Sequence, residues 1–106
     1  MHMDGRTCVI TGAGRGIGRG IAEHLGREGA NVVVNYRSSA ESAESACETI
    51  RREGGDAIAS QADVTDMVEV EAMREEAHDA FGAVDVLVNN AGITKDTRFV
   101  KMSRED

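Results

Sequence analysis

Cysteine is scarce in this sequence. The chain contains only two, Cys8 and Cys47, and they lie far apart. Their spacing fits neither a Cys-x-x-Cys metal or redox pair nor a disulfide framework. We therefore expect two buried or half-buried thiols in a reducing cytoplasm.

Basic residues and long apolar runs are also few. Lys and Arg number 12 against 19 Asp and Glu, which gives a formal net charge of −7. This charge argues against electrostatic binding of nucleic acid or of anionic membranes. The apolar runs are only strand-sized and residues 1–4 show no signal region, so we expect no membrane-spanning or targeting segment. The acidic surface is typical of an ordinary soluble protein or of one adapted to high salt.

Strand-like and helix-like segments alternate along the 106 residues, a length that allows one compact domain. Strands are predicted at Thr7–Thr11, Val32–Val34, Ala57–Ala59 and Val84–Val88. This alternation predicts an α/β fold with right-handed crossovers and a doubly wound, Rossmann-like parallel sheet of strand order 3-2-1-4. A ligand crevice then lies between the first and fourth strands, at their carboxyl ends.

Three helices are expected, each with apolar residues at helical spacing. The residues expected to face inward are Ile17, Ile21, Ala22 and Leu25 in the first, Ala43, Ala46, Cys47 and Ile50 in the second, and Val70, Met73, Ala77 and Phe81 in the third. Thr65 is predicted to be the N-cap of the third helix. Right-handed crossovers put two helices on one face and one on the other, which leaves apolar surface uncovered.

A glycine-rich turn, from Thr11 to Gly18, follows the first strand and opens the first helix. It does not fit the G-x-G-x-x-G pattern, because Ile17 takes the last place, but it fits Thr-Gly-x-x-x-Gly-x-Gly. Gly12 permits a tight exit from the strand, Gly16 lets the backbone approach a pyrophosphate, and Gly18 lets the helix pack close to the sheet. The alternative is a flexible turn whose glycines only shape the backbone.

The second strand ends without a carboxylate. An NAD site needs Asp or Glu there for the ribose hydroxyls, whereas this chain has Asn35-Tyr36-Arg37-Ser38. Arg37 supplies a fork of donors that suits a 2′-phosphate, and Arg15 in the glycine turn is a second candidate. The alternative for each arginine is an ordinary solvated charge. We predict NADP(H) as the cofactor, with NAD(H) as the less favoured choice.

The turn from Thr11 to Gly18, together with Asn89-Asn90-Ala91-Gly92, resembles the two N-terminal signatures of the short-chain dehydrogenase/reductase family. The resemblance implies that Asp63 and the backbone of Val64 bind the adenine, and that the asparagine segment stabilises the sheet and lines the ribose side. From the residues alone, Asp63 is equally a loop carboxylate that starts a turn. The predicted cofactor-binding residues are Gly12, Arg15, Gly16, Ile17, Gly18, Arg37, Asp63, Val64, Asn89, Ala91 and Gly92.

Residues 35–39 and 90–96 are most similar to the 3-oxoacyl-[acyl carrier protein] and acetoacetyl-CoA reductases of that family. This implies a homo-oligomeric enzyme that transfers hydride from NADPH to a ketone or 3-oxoacyl thioester. The family's catalytic Asn, Ser and Tyr-x-x-x-Lys have no place here, because the only tyrosine, Tyr36, is followed four residues later by Ala40. No catalytic or metal-binding residue is therefore predicted.

We expect residues 1–106 to form a truncated dinucleotide-binding domain, inactive alone, because the chain stops at the helix start Ser103–Asp106. The strand Val84–Val88 would then be an unpaired hydrophobic edge, and solubility would be poor. One alternative is a catalytically inactive nucleotide-binding or interaction fragment that pairs through this edge. Another, an S-adenosylmethionine enzyme, usually needs a carboxylate where Asn35 and Tyr36 stand.

Overall fold

A computed structural model describes residues 3–14 and 16–90 with their side chains, and residues 98–101 as backbone. The elements in chain order are β1 (Thr7–Ile10), α1 (Gly16–Arg27), β2 (Asn31–Tyr36), α2 (Ala40–Arg52), β3 (Asp56–Gln61), α3 (Met67–Phe81), β4 (Val86–Asn89) and β5 (Arg98–Lys101). None of the helices in these described ranges is long and apolar enough to cross a membrane.

The strands form one sheet in the order β3-β2-β1-β4-β5. The first four strands of this order run parallel, with β1 between β2 and β4. This arrangement confirms the predicted doubly wound sheet and its 3-2-1-4 order. The chain crosses from one side of β1 to the other between β3 and β4, so the topological switch point lies between β1 and β4.

Each face of the sheet has its own apolar cluster. In β1, Cys8 and Ile10 pack with residues of α1 and α2, whereas Val9 packs with Met73 and Ala77 of α3. The split follows from the two-residue period of a strand, which sends neighbouring side chains to opposite faces. The predicted arrangement of two helices on one face and one on the other is therefore present.

Both cysteine thiols lie in the core cluster that α1 and α2 cover, and both are fully buried. Burial, together with the nearby carboxylate of Asp85, raises the pKa of Cys8 to about 11. Burial likewise raises the pKa of Cys47 to about 11. Both groups are therefore neutral, unreactive thiols at physiological pH.

The prediction that the fourth strand forms an open edge of the sheet is wrong. β5 pairs antiparallel with β4, from Val86 opposite Lys101 to Asn89 opposite Arg98. The backbone of β5 therefore pairs with the side of β4 that would otherwise be open. The alternative function, an interaction fragment that pairs with partners through the open edge of β4, therefore loses its structural basis.

The predicted cap of α3 is also wrong. The N-cap is Asp66, whose Oδ1 accepts hydrogen bonds from the backbone N–H of Val68 at 2.9 Å and of Glu69 at 3.4 Å. The hydroxyl of Thr65 instead donates to Oδ1 of Asp63 at 2.6 Å. A carboxylate at the N-cap satisfies free N–H groups and also interacts favourably with the helix dipole, which favours Asp66 over its neighbour.

Candidate cofactor site

The carboxyl ends of the four parallel strands bring the predicted site segments to one edge of the sheet. The glycine turn follows β1, Arg37 follows β2, Asp63 follows β3, and Asn89 ends β4. In a doubly wound sheet this edge is where ligands bind, beside the switch point. Segments far apart in the sequence thus meet at a single place.

Backbone geometry explains the first two motif glycines. Gly12 has φ of 62° and Gly16 has φ of 65°, both in the left-handed region that residues with a side chain rarely adopt. These two positions turn the chain out of β1 and into α1. Within the described part of the chain, the strand therefore connects to the helix through a turn whose shape depends on glycine.

Gly18 is required for a different reason, which is close packing. A Cβ added there would lie 2.5 Å from the carbonyl oxygen of Gly12 and 2.6 Å from Nδ2 of Asn90. Both neighbours are held in place, so a side chain at this position must displace the turn or the end of β4. The close approach of α1 to the sheet agrees with the packing expected of the third motif glycine.

The asparagine segment after β4 holds the glycine turn from one side. The N–H of Thr11 donates to the carbonyl of Val88 at 3.0 Å, and the N–H of Asn90 donates to Oγ1 of Thr11 at 2.7 Å. Nδ2 of Asn90 donates to the carbonyl of Gly12 at 3.3 Å. Sequence reasoning named this segment but missed Asn90 itself as a site residue, although it lies within the motif.

A buried amide at the end of β2 holds the turn from the other side. Oδ1 of Asn35 accepts from the N–H of Gly12 at 3.2 Å, and Nδ2 of Asn35 donates to the carbonyls of Ser60 at 3.3 Å and Ala62 at 3.2 Å. Asn35 is only 1% exposed. In the sequence analysis, Asn35 served only to show that a carboxylate is missing. A polar residue directly after three buried valines nevertheless indicates a structural role for its side chain.

A cleft of about 170 Å³ opens beside the glycine turn. Its lining consists of Gly12, Gly14, Tyr36, Arg37, Ser38, Ser39 and Ser42. The glycine part of the wall carries no side chains, and Ser38, Ser39 and Ser42 supply hydroxyl groups. The side chain of Arg37 is 79% exposed, with Nη2 3.6 Å from Oδ2 of Asp63.

Asp63 keeps a negative charge beside this cleft. Hydrogen bonds from the hydroxyl and the backbone N–H of Thr65 lower the pKa of the Asp63 carboxyl, and the positive charge of Arg37 contributes in the same direction. The carboxylate is an acceptor that starts a turn, as the alternative interpretation expected. The same carboxylate lies beside Arg37 at the edge of the cleft.

The remaining predicted site residues divide into two groups. Ile17 is 75% exposed at the first turn of α1, so its predicted place in the core is wrong. Val64 is half-buried next to Asp63. Arg15, Ala91 and Gly92 lie outside the described residues.

The lining of this site fits a dinucleotide. A glycine turn leads into the N-terminus of α1, where the first N–H groups have no carbonyl of a preceding turn to bond and favour an anion. A dinucleotide pyrophosphate is such an anion. Arg37 lies at the end of β2 with no carboxylate at that strand end, which suits a phosphate on the ribose.

A doubly wound parallel sheet with a glycine turn at its switch point defines a dinucleotide-binding domain of the Rossmann type. The family model described as short chain dehydrogenase matches residues 6–106. The chain belongs to this family, as the resemblance of its motifs predicted.

Among curated proteins, the chain is 50% identical over 101 residues to the 3-oxoacyl-[acyl-carrier-protein] reductase FabG of Staphylococcus aureus. This match covers 95% of the chain but only 41% of that reductase. The chain therefore spans about two fifths of the length of the curated relative it matches.

Two crystal structures are similar to the fold. One is a dehydrogenase/reductase from Sinorhizobium meliloti, with a TM-score of 0.83, 42% identity and coverage of 86% of this chain and 36% of that one. The other is a short chain dehydrogenase from Burkholderia cenocepacia in complex with NADP, also with a TM-score of 0.83 and 42% identity. It covers 90% of this chain and 39% of that one.

Proposed function

We propose that this chain is the NADP(H)-binding half of a short-chain reductase that transfers hydride from NADPH to a ketone or a 3-oxoacyl thioester. The observation that supports the proposal most is the cleft in which the glycine turn meets Arg37 at a strand end that lacks a carboxylate. The similarity to a 3-oxoacyl-[acyl-carrier-protein] reductase supports the substrate class. The NADP complex of a relative supports the cofactor.

The proposal gives each group of residues a part of the cofactor. The turn formed by Gly12, Gly16, Ile17 and Gly18 binds the pyrophosphate through its backbone and the N-terminus of α1. Arg37 and Arg15 bind the 2′-phosphate, Asp63 and Val64 bind the adenine, and Asn89, Ala91 and Gly92 line the ribose side. When bound, NADPH supplies the hydride, and these residues orient it.

The proposal also limits what the chain does by itself. The matched reductase is more than twice as long as this chain. We propose that the family's catalytic serine, tyrosine and lysine lie beyond the region that this chain matches. Residues 1–106 alone would then bind the cofactor but would turn over no substrate. The complete enzyme would act in the cytoplasm as a homo-oligomer.

Reversal of the charge on residue 37 tests the cofactor assignment. We expect Arg37→Asp to weaken NADPH binding by roughly tenfold or more, because a charge-assisted contact is lost and a carboxylate repels the 2′-phosphate. NADH binding should be unchanged or tighter, because a carboxylate at this position accepts from the ribose hydroxyls. Isothermal titration of both cofactors gives the ratio of the two dissociation constants.

The matched control is Arg74→Glu, which makes the same change in net charge on the exposed face of α3. It should leave the NADPH-to-NADH ratio unchanged. An unaltered ratio in Arg37→Asp would contradict the role given to Arg37. An equal shift in both variants would mean that only the overall charge matters.

A further inference from the structure

We propose that Asn35 is a positioning residue that couples the pyrophosphate side of the cofactor site to its adenine side. The inference rests on the proposed function and deepens it, because the role of this residue follows from its hydrogen bonds rather than from contact with the cofactor. Its side chain is buried at the end of β2, between the loops that follow β1 and β3.

The first half of the coupling acts on the glycine turn. Oδ1 of Asn35 accepts from the N–H of Gly12 at 3.2 Å, and its backbone carbonyl accepts from the N–H of Ala13 at 3.0 Å. Two successive amides of the turn are thereby bonded to one residue of β2. The left-handed conformation of Gly12 is therefore supported by hydrogen bonds from outside the turn.

The second half acts on the loop that carries Asp63. Nδ2 of Asn35 donates to the carbonyls of Ser60 and Ala62, at 3.3 Å and 3.2 Å. Ala62 directly precedes Asp63, and its own N–H donates to the carbonyl of Tyr36 at 3.0 Å. The start of the adenine-side loop is therefore bonded to the same strand end as the glycine turn.

The chemistry of the amide explains why this position is not apolar like the strand before it. Val32, Val33 and Val34 are all buried, and another valine would continue the core. A buried amide is unfavourable unless its polar atoms are bonded. Among short side chains, only asparagine combines an acceptor for one loop with two donors for the other; aspartate lacks the donors and a hydroxyl offers one.

Binding and amide exchange in matched variants test the coupling. In Asn35→Ala we expect the dissociation constant for NADPH to rise roughly tenfold or more, because the turn and the Asp63 loop lose their common anchor. We expect the amide hydrogen of Gly12 to exchange faster by a similar factor, since its acceptor is gone. Asn35→Ser is the milder variant for use if the alanine variant does not fold.

The control is Ile50→Val, which removes one methylene from the buried core beneath α2, away from the cleft. It should lower the melting temperature but leave NADPH affinity within about twofold of the parent, because it alters packing alone. The positioning role would be overturned if Ile50→Val and the Asn35 variant had equal melting temperatures and lost equal affinity for NADPH. Unchanged NADPH affinity and Gly12 exchange in the Asn35 variants would overturn it as well.

Failure of the proposed function would look different. If the parent chain binds no NADPH, the function assigned to the cleft is wrong. The Gly12 exchange rate then still decides whether Asn35 holds the glycine turn, because that measurement needs no cofactor.

Discussion

The candidate site uses glycine in two physically different ways at the scale of single residues. Gly12 and Gly16 supply left-handed backbone, whereas Gly18 supplies the absence of a side chain at a close contact. The first requirement concerns conformation and the second concerns space. The two therefore fail differently under mutation.

Gly18→Ala tests the second requirement. Its Cβ would meet the carbonyl of Gly12 and the amide of Asn90, so we expect a loss of about 1–3 kcal/mol in the free energy of unfolding. The matched control is Gly20→Ala on the same helix, where a Cβ meets nothing within 4 Å. That change should stabilise the helix by about 0.5–1 kcal/mol. Urea unfolding measures both, and equal effects would contradict the packing role.

The motif glycines were predictable from the sequence because their spacing after a β-branched strand is itself informative. The bonds from Asn35 and Asn90 to Gly12 were not predictable in the same way. Residue types and spacing near each asparagine do not say which distant backbone group it will meet. Only the assembled sheet brings the ends of β1, β2 and β4 together.

At the scale of elements, apolar periodicity predicted three helices and four strands, and their alternation predicted a doubly wound parallel sheet in the correct strand order. The exact start of α3 was not predictable, because Asp63, Thr65 and Asp66 are all good capping residues within four positions. Competition among their side chains is decided by local geometry. Asp63 and Thr65 bond to each other, which leaves Asp66 as the cap.

Three substitutions distinguish the observed cap from the predicted one. Asp66→Ala should lower the free energy of unfolding by about 0.5–2 kcal/mol, because two N–H groups of α3 lose their acceptor. Asp66→Asn, which keeps an acceptor, should recover most of the loss. Thr65→Ala should cost less than Asp66→Ala in the same thermal or urea unfolding experiment. The opposite order would restore Thr65 as the cap.

β5 shows a different limit of sequence reasoning. Arg98–Lys101 has only two apolar residues, Phe99 and Val100, between two charged ones, so neither an apolar run nor an alternation marks it as a strand. No pattern in the amino-acid sequence therefore indicated an antiparallel partner at the edge of the parallel sheet. Pairing between strands is a property of the assembled molecule.

At the scale of the whole molecule, the two faces of the sheet are covered unequally. Within the described ranges, α1 and α2 cover one face, and α3 is the one helix on the other. Val9, Val84 and Leu87 line a groove of about 100 Å³ there, together with side chains of α3. Met67 and Val68 of α3 are also exposed, at 70% and 78%. Among the residues that the structure describes, the expected uncovered apolar surface is thus present on the face with a single helix.

The central claim, that this chain holds NADP(H) in the cleft beside its glycine turn, is tested most directly by titrating the unaltered chain with NADPH and with NADH. We predict saturable binding of both, with NADPH tighter by roughly tenfold or more, because the proposed function assigns the 2′-phosphate to Arg37. No binding of either cofactor, or equal or tighter binding of NADH, would contradict the account.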